Sequence, residues 1–277
     1  MRIIADTPTL FSASEGKALG ITIIPACTII DGKVYRDFED ISSEEFLKRI
    51  EEGAVPTTSQ PAIGDILEVY EESKEEVLVL PIGDGLSGTY QNMVGAKNVM
   101  DDNRKIHVLD TKTLAGPQRY LAKKAVELAN AGEKIETIKQ KLKKCIDTSV
   151  SFVIPADFNF LKRSGRLTPI AAKLGTLIKI VPVMTQTEDK KKITPFTIKR
   201  SKKKAVIAII EHLKSIGVDK DYLISISHGG AKNEAEQVAE LMKIHFPKTE
   251  VETFILAPSL VCHGGPGCLV VQTIRKE

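Results

Sequence analysis

The chain has no tryptophan, and its aromatic residues make up only 5% of 277 positions. Bases of single-stranded nucleic acid need aromatic platforms to stack on, so this scarcity argues against such a ligand. An excess of one charge is also missing: 39 Lys and Arg stand against 36 Asp and Glu, for a net charge of +3. That balance lacks the basic surplus of a nucleic-acid binder, and no nucleic acid is expected as a partner. The four cysteines (Cys27, Cys145, Cys262, Cys268) form no Cys-x-x-Cys pair, which excludes zinc-ribbon and thioredoxin motifs. Cys262, His263 and Cys268 stand close together, but with no second cluster they read as small buried residues, and no metal or other cofactor is expected. Unpaired thiols fit a cytoplasmic protein. Long uncharged apolar runs are absent: the most apolar long window, 170–184, contains Lys173 and Lys179 and spans no bilayer. Asp6 follows only Ile3-Ile4-Ala5, so the opening is not a signal peptide. No Gly-Lys-Ser/Thr of a P-loop occurs, so the chain is not expected to transfer phosphoryl groups by itself.

What remains is a soluble globular composition, 42% apolar and 27% charged, long enough for one large domain or two ordinary ones. Strand and helix signals alternate through the first half. Residues 2–5, 21–30, 76–82 and 105–109 read as strands, and Asp31-Gly32 marks a hairpin. Ser42 with Glu45 is a capping box that opens a helix stopping at Gly53. Pro61 reads as the first turn of a further helix. Helical patterns follow near 90–100, 119–131 and 134–146. Past residue 148 the rhythm changes. Residues 179–187 and 193–199 flank the charged tip 188–192 as an antiparallel hairpin, and helices at 201–216 and 233–245 alternate with strands at 222–227, 251–256 and 269–274. The expected fold class is therefore α/β with two lobes. Residues 1–152 form a mainly parallel sheet with helices on both faces, and residues 153–277 form an α/β lobe with a mixed or antiparallel sheet. A cleft between the lobes is the natural ligand site.

Chemistry concentrates in three segments: Gly83-Asp84-Gly85-Leu86-Ser87-Gly88-Thr89, Thr57-Thr58-Ser59-Gln60-Pro61 and His263-Gly264-Gly265-Pro266-Gly267. The first follows the apolar run 77–82 and precedes a helix. Free N–H groups and hydroxyls at such a junction suit a carboxylate or phosphate. In isolation each segment also reads as a helix cap or a structural loop.

The segments Thr58-Ser59-Gln60-Pro61, Leu86-Ser87-Gly88-Thr89-Tyr90, Leu161-Lys162-Arg163-Ser164-Gly165-Arg166 and His263-Gly264-Gly265-Pro266-Gly267, in that order, resemble the DegV family. The opening Ile4-Ala5-Asp6-Thr7 is similar to the same family, and the likeness runs from residue 3 to 275. Two departures occur: Cys262 stands where the family often has Thr, and Pro8-Thr9-Leu10-Phe11 replaces a more polar stretch. The resemblance implies a two-lobe protein that holds one long-chain fatty acid between its lobes. As the lipid-binding subunit of a fatty acid kinase, it would present the acid to a separate ATP-dependent subunit and receive back acyl phosphate. It further implies that Thr58, Ser87 and His263 bind the carboxylate, supported by Ser59, Gly88 and Gly264.

A buried carboxylate needs converging donors. Ser87 could donate beside the amides of the helix it precedes, Thr58 lies just before the helix begun at Pro61, and His263 can donate from its ring. The tail needs an apolar tunnel, and Phe158, Phe160, Ile170, Ala171, Ala172, Leu174, Leu177 and Ile178 are candidate walls, although apolar residues at such spacing usually pack a core. Arg166 is expected to bond loop carbonyls, and Gly165, Gly264, Gly265 and Gly267 to allow unusual backbone angles. The basic cluster 199–204, through Arg200 and Lys203, is a candidate docking face for an acidic kinase or a patch for transient contact with an anionic membrane surface, against a plain solvated helix start.

Two alternatives stay open. One is a serine hydrolase or acyl-transfer enzyme using Ser87 and His263, although the Gly-x-Ser-x-Gly elbow is missing. The other is a carrier for a different small anionic lipid. The formal dinucleotide fingerprint Gly83-x-Gly85-x-x-Gly88 is weak alone, and the family likeness overrides it.

Overall fold

The computed structural model describes residues 1–100, 105–173 and 180–277. Its elements run β1 (Arg2–Asp6), α1 (Ala13–Ala18), β2 (Ile21–Ile24), β3 (Cys27–Ile30), β4 (Lys33–Arg36), α2 (Ser43–Glu51), β5 (Thr57–Ser59) and α3 (Ile63–Glu71). Then come β6 (Val77–Leu80), α4 (Thr89–Asn98), β7 (Ile106–Val108), α5 (Ala115–Asn130), α6 (Ile135–Thr148) and β8 (Val150–Ile154). The chain continues through α7 (Phe158–Arg163), α8 (Pro169–Ala172), β9 (Val181–Gln186), β10 (Ile193–Lys199), α9 (Lys202–Ser215), β11 (Tyr222–His228), α10 (Lys232–His245), β12 (Glu250–Ile255), α11 (Pro258–Gly264) and β13 (Leu269–Arg275).

Three sheets result among the described residues. The first, in the order β2-β1-β6-β7, is parallel throughout. The second, β10-β9-β8-β13-β11-β12, is mixed: β11 and β12 are parallel and the other neighbours antiparallel. Both match the α/β expectation. The third, the antiparallel trio β4-β3-β5, was not foreseen as a separate sheet. The expected continuous strand over 21–30 is in fact β2 and β3, broken at Pro25-Ala26 and assigned to different sheets. Proline lacks a ladder donor, so the chain turns there and changes sheet. The expected boundary at 152/153 falls inside β8.

Side-chain alternation along the strands builds the layers. Ile4, Val77 and Val79 pack on one face of the first sheet against Ile66 and Tyr70 of α3 and Met93 of α4. Ile3, Ala5, Leu78 and Leu80 point to the other face, onto Leu121 and Ala125 of α5 and Ile138 and Leu142 of α6. Leu223 and Ile274 of the second sheet belong to that same buried cluster. Helices α5 and α6 are thus shared between the two sheets. On its outer face the second sheet sets Ile224, Ile226 and Val271 against Ile209 and Leu213 of α9 and Met242 of α10.

Local signals mostly act as expected. Asp31 and Gly32 both have positive φ, 50° and 78°, which suits the tight β3–β4 turn. Ser42 Oγ accepts from the Glu45 N–H at 3.1 Å, but the Glu45 carboxylate pairs with Arg49 and does not reach back, so the cap at α2 is half a capping box. The complete box lies at α1, between Ser12 and Glu15. Pro61 is not inside a helix: Ala62 caps α3, which begins at Ile63.

Candidate functional site

Thr58 sits in the three-residue strand β5, paired with Thr28 of β3. It does not precede a helix directly, as the Pro61 reading had placed it. His263 lies in the last turn of α11, a short helix with Pro258 at its start, and not in a loop. The two meet: Thr58 Oγ1 and His263 Nε2 are 2.9 Å apart across 205 residues of sequence. Several contacts fix α11 in that position. The Ser259 N–H donates to Asp37 at 3.1 Å, Ser43 Oγ donates to the Leu256 carbonyl at 2.7 Å, and the Cys262 thiol reaches the Pro56 carbonyl at 3.4 Å.

Ser87 stands in the turn between β6 and α4. Its Oγ is 2.9 Å from Thr89 Oγ1 and accepts the Thr89 N–H at 3.3 Å. Neither Thr58 nor His263 is hydrogen-bonded to it. Its turn nevertheless packs against the segment that follows Thr58. Asn92 Nδ2 donates to the Pro61 carbonyl at 2.8 Å, and a Cβ on Gly88 would come within 2.5 Å of Gln60 Oε1. Ser59 is an exposed member of β5 paired with Cys27.

Behind His263 lies a cavity of about 110 Å³. Its apolar wall includes Ile82, Leu86, Leu161, Met184, Leu256 and Val270. Ser164, Arg166 and His263 line this cavity and also a second pocket beside Thr58 and Phe160. They therefore stand where the apolar chamber meets Thr58. Arg166 bonds two loop carbonyls as expected, those of Leu86 (3.0 Å from Nε) and Ser164. Sequence reasoning did not anticipate that it also faces the cavity. A lone arginine in a Ser-Gly-Arg turn carries no signal that separates the two roles.

Burial pushes the His263 imidazole down to about 3, and the nearby Arg166 guanidinium adds to the shift. The ring is therefore neutral at neutral pH and acts through one N–H and one lone pair. With Nε2 protonated it donates to Thr58 Oγ1 and frees the threonine hydroxyl hydrogen for an anion. Two carboxyls lie deeper. Burial raises Asp6 to about 7 against hydrogen bonds from Gln118 and the Ile82 N–H, and raises Asp37 to about 7 against bonds from Ser259 and Thr7. Both are protonated in part at neutral pH, so they anchor structure at a low charge cost.

The expected tail walls are largely corrected. Ile170 is 73% exposed, Ala171 packs behind the wall with Leu161 and Met184, and Phe158 and Ala172 flank that packing. Phe160 lines the pocket beside Thr58 and not the apolar cavity. Leu174, Leu177 and Ile178 lie outside the described residues. Of the four glycines, Gly165, Gly265 and Gly267 do have positive φ. Gly264 does not; it is needed for space, since a Cβ there would approach Cys268 Sγ to 2.7 Å. Among the described residues no cluster of three or more His, Cys, Asp or Glu side chains gathers. No described helix is long and apolar enough to cross a membrane.

Comparison with known proteins places the fold in a family. A family model described as "Uncharacterised protein, DegV family" matches residues 1–276. The chain belongs to the DegV family. A DegV domain-containing protein of Listeria innocua is 31% identical over 276 residues, covering 96% of this chain and 95% of the relative. Among solved structures, DegV of Bacillus subtilis, described as a fatty acid binding protein, superposes with a TM-score of 0.87 at 26% identity, covering 99% of this chain and 98% of that one. A DegV family protein of Thermus thermophilus, described by its fatty acid binding, gives 0.88 at 27% identity over 99% and 100% of the two chains. The segments singled out in the sequence touch one another: Thr58 contacts His263, the Ser87 turn packs on the Gln60-Pro61 segment, and Arg166 holds Leu86.

Proposed function

We propose that this protein binds one long-chain fatty acid. The acyl tail occupies the apolar cavity, and the carboxylate lies at its mouth against Thr58 and His263, with Ser87 as a third donor. The observation that carries this reading is the Thr58–His263 hydrogen bond at the edge of an apolar chamber. Each methylene taken out of water contributes about 0.8 kcal/mol, so the tail supplies most of the affinity and the polar groups prevent an unpaired buried anion. The fatty-acid descriptions of the Bacillus and Thermus proteins support the same ligand class. Ser59 in β5, Gly88 in the turn before α4 and Gly264 at the end of α11 support these donors. The hydrolase alternative is disfavoured: Ser87 Oγ is bonded to Thr89 and His263 Nε2 to Thr58, so nucleophile and base do not address each other. Native mass spectrometry of protein purified from its expression host should show a non-covalent adduct with the mass of a long-chain acid. A covalent acyl adduct on Ser87, or no adduct after incubation with such acids, would overturn the reading.

In this proposal the protein does no chemistry on the acid but presents it to an ATP-dependent kinase subunit. There a carboxylate oxygen attacks the γ-phosphorus, ADP leaves, and acyl phosphate remains in the cavity. Arg200 and Lys203 suit such a partner because both are exposed and neither has an ion-pair partner among the described residues, whereas adjacent Lys202 pairs with Glu234. Exposed charges of this kind mainly set the association rate. Arg200→Glu with Lys203→Glu should slow acyl phosphate formation roughly tenfold at low salt and leave acid retention unchanged. An unchanged rate would remove the docking role. Loss of vesicle association with an intact kinase rate would instead point to membrane contact.

A further inference from the structure

The inner face of the second sheet is not uniformly apolar. Strand register sets Met184, Val153, Val270 and Ser227 in one transverse row. Two residues along, Ser151, Gln272 and Ser225 form the next same-facing row. Side chains two apart on a strand share a face, so the cavity wall passes from an aliphatic row to a polar one about 7 Å away. Val153, Met184 and Val270 line the cavity, and so do Ser151 and Gln272.

The polar row is incompletely satisfied. Gln272 is 1% exposed, and its Nε2 donates to the Leu114 carbonyl at 3.0 Å and to Ser151 Oγ at 2.9 Å. Those two bonds use both amide hydrogens, and because Leu114 offers only a carbonyl, the amide orientation is fixed. Among the described residues Gln272 Oε1 is left with no partner. Ser151 Oγ accepts from Gln272, and its own hydroxyl hydrogen has no acceptor. The row therefore holds one unused acceptor and one unused donor in neighbouring side chains. Ser225 does not fill the gap: its Oγ also lacks a partner and packs on Gly116, where any Cβ would collide with it.

A saturated hydrocarbon tail offers nothing to either group, and leaving buried polar groups unpaired is costly. An alcohol function is a donor and an acceptor on one atom, so it can give its hydrogen to Gln272 Oε1 and accept from the Ser151 hydroxyl. We propose that the Ser151–Gln272 row is a specificity site that favours an acyl chain carrying a hydroxyl group over the unsubstituted chain. The inference rests on the fatty-acid reading and narrows its substrate class.

The test is a competition on delipidated full-length protein, read by native mass spectrometry. Octadecanoic acid is offered together with each of a series of monohydroxy-octadecanoic acids that differ in hydroxyl position. Wild type should prefer at least one hydroxy isomer by about tenfold, the ratio expected for one recovered buried hydrogen-bond pair. Gln272→Leu and Ser151→Ala should each abolish or invert that preference. The ratio is measured within one sample, so partial loss of folded protein does not distort it, and Ser151→Ala decides alone if Gln272→Leu fails to fold. Equal or better binding of octadecanoic acid than of every isomer overturns the inference and leaves the fatty-acid reading intact, as does a preference that survives both substitutions. If wild type retains none of these acids, both fall.

Discussion

Thr58→Val should weaken retention of a long-chain acid roughly tenfold to a hundredfold, the scale of one lost hydrogen bond to a charged group. The substitution preserves shape and removes only the hydroxyl, so the cavity and the β5–β3 pairing stay as they are. His263→Ala should cause a loss of similar size, because the ring orients the Thr58 hydroxyl at 2.9 Å. The two effects should not multiply. Residues bonded to each other act as a unit, and the double variant should bind only slightly worse than the poorer single one. Dissociation measured by transfer of a labelled acid to acceptor vesicles gives all three values. Unchanged retention in both single variants would remove the head-group site, and fully multiplicative losses would mean that the pair does not act together.

Asp37→Asn should flatten the pH dependence of folding stability. In the native protein Asp37 titrates at about 7, against 3.8 for the unreacted side chain, because burial outweighs the bonds from Ser259 and Thr7. Asp6 lies close enough to raise it further, and Cys27 and Cys262 sense its charge. A raised carboxyl contributes its full stability below pH ~4, where it is protonated folded or unfolded. Between about 4 and 7 the unfolded chain loses the proton and the native chain holds it, so that stability declines as pH rises. The limit is roughly 4 kcal/mol for one such group. Asparagine keeps acceptors for Ser259 and Thr7 and has no proton to lose, so urea midpoints at pH 5 and pH 8 should lie closer together than in wild type. Identical slopes would show that Asp37 is ionised throughout this range in the folded protein.

Much of the architecture was legible from three kinds of signal: short apolar runs for the strands β1 and β6, which are buried on both faces, the Asp31-Gly32 turn, and the one-sided period of the amphipathic helix α6. Breaks inside apolar runs were harder. Residues 21–30 are rich in β-branched residues on both sides of Pro25, and only that proline hints that two strands in different sheets are joined there. Strand β5 is three residues long beside Pro56, too short to show alternation, so Thr58 was credited to a helix start. The helix carrying His263 was hidden by the glycines that follow it. The motif segments were readable, and Thr58 and His263 do meet. The cavity wall was not readable, because which side of β8, β9 and β13 faces inward depends on register with strands far away in sequence. Asp37 was missed for a related reason: an acid beside Phe38-Glu39-Asp40 looks like surface until the fold encloses it.

The layer formed by α5 and α6 has a mechanical meaning. A hinge between the two sheets would have to open an apolar packing to which each contributes side chains. Separating the halves would wet that packing all at once, at an energy comparable to unfolding. The two sheets should therefore unfold together, and calorimetry should record a single melting event for the whole chain.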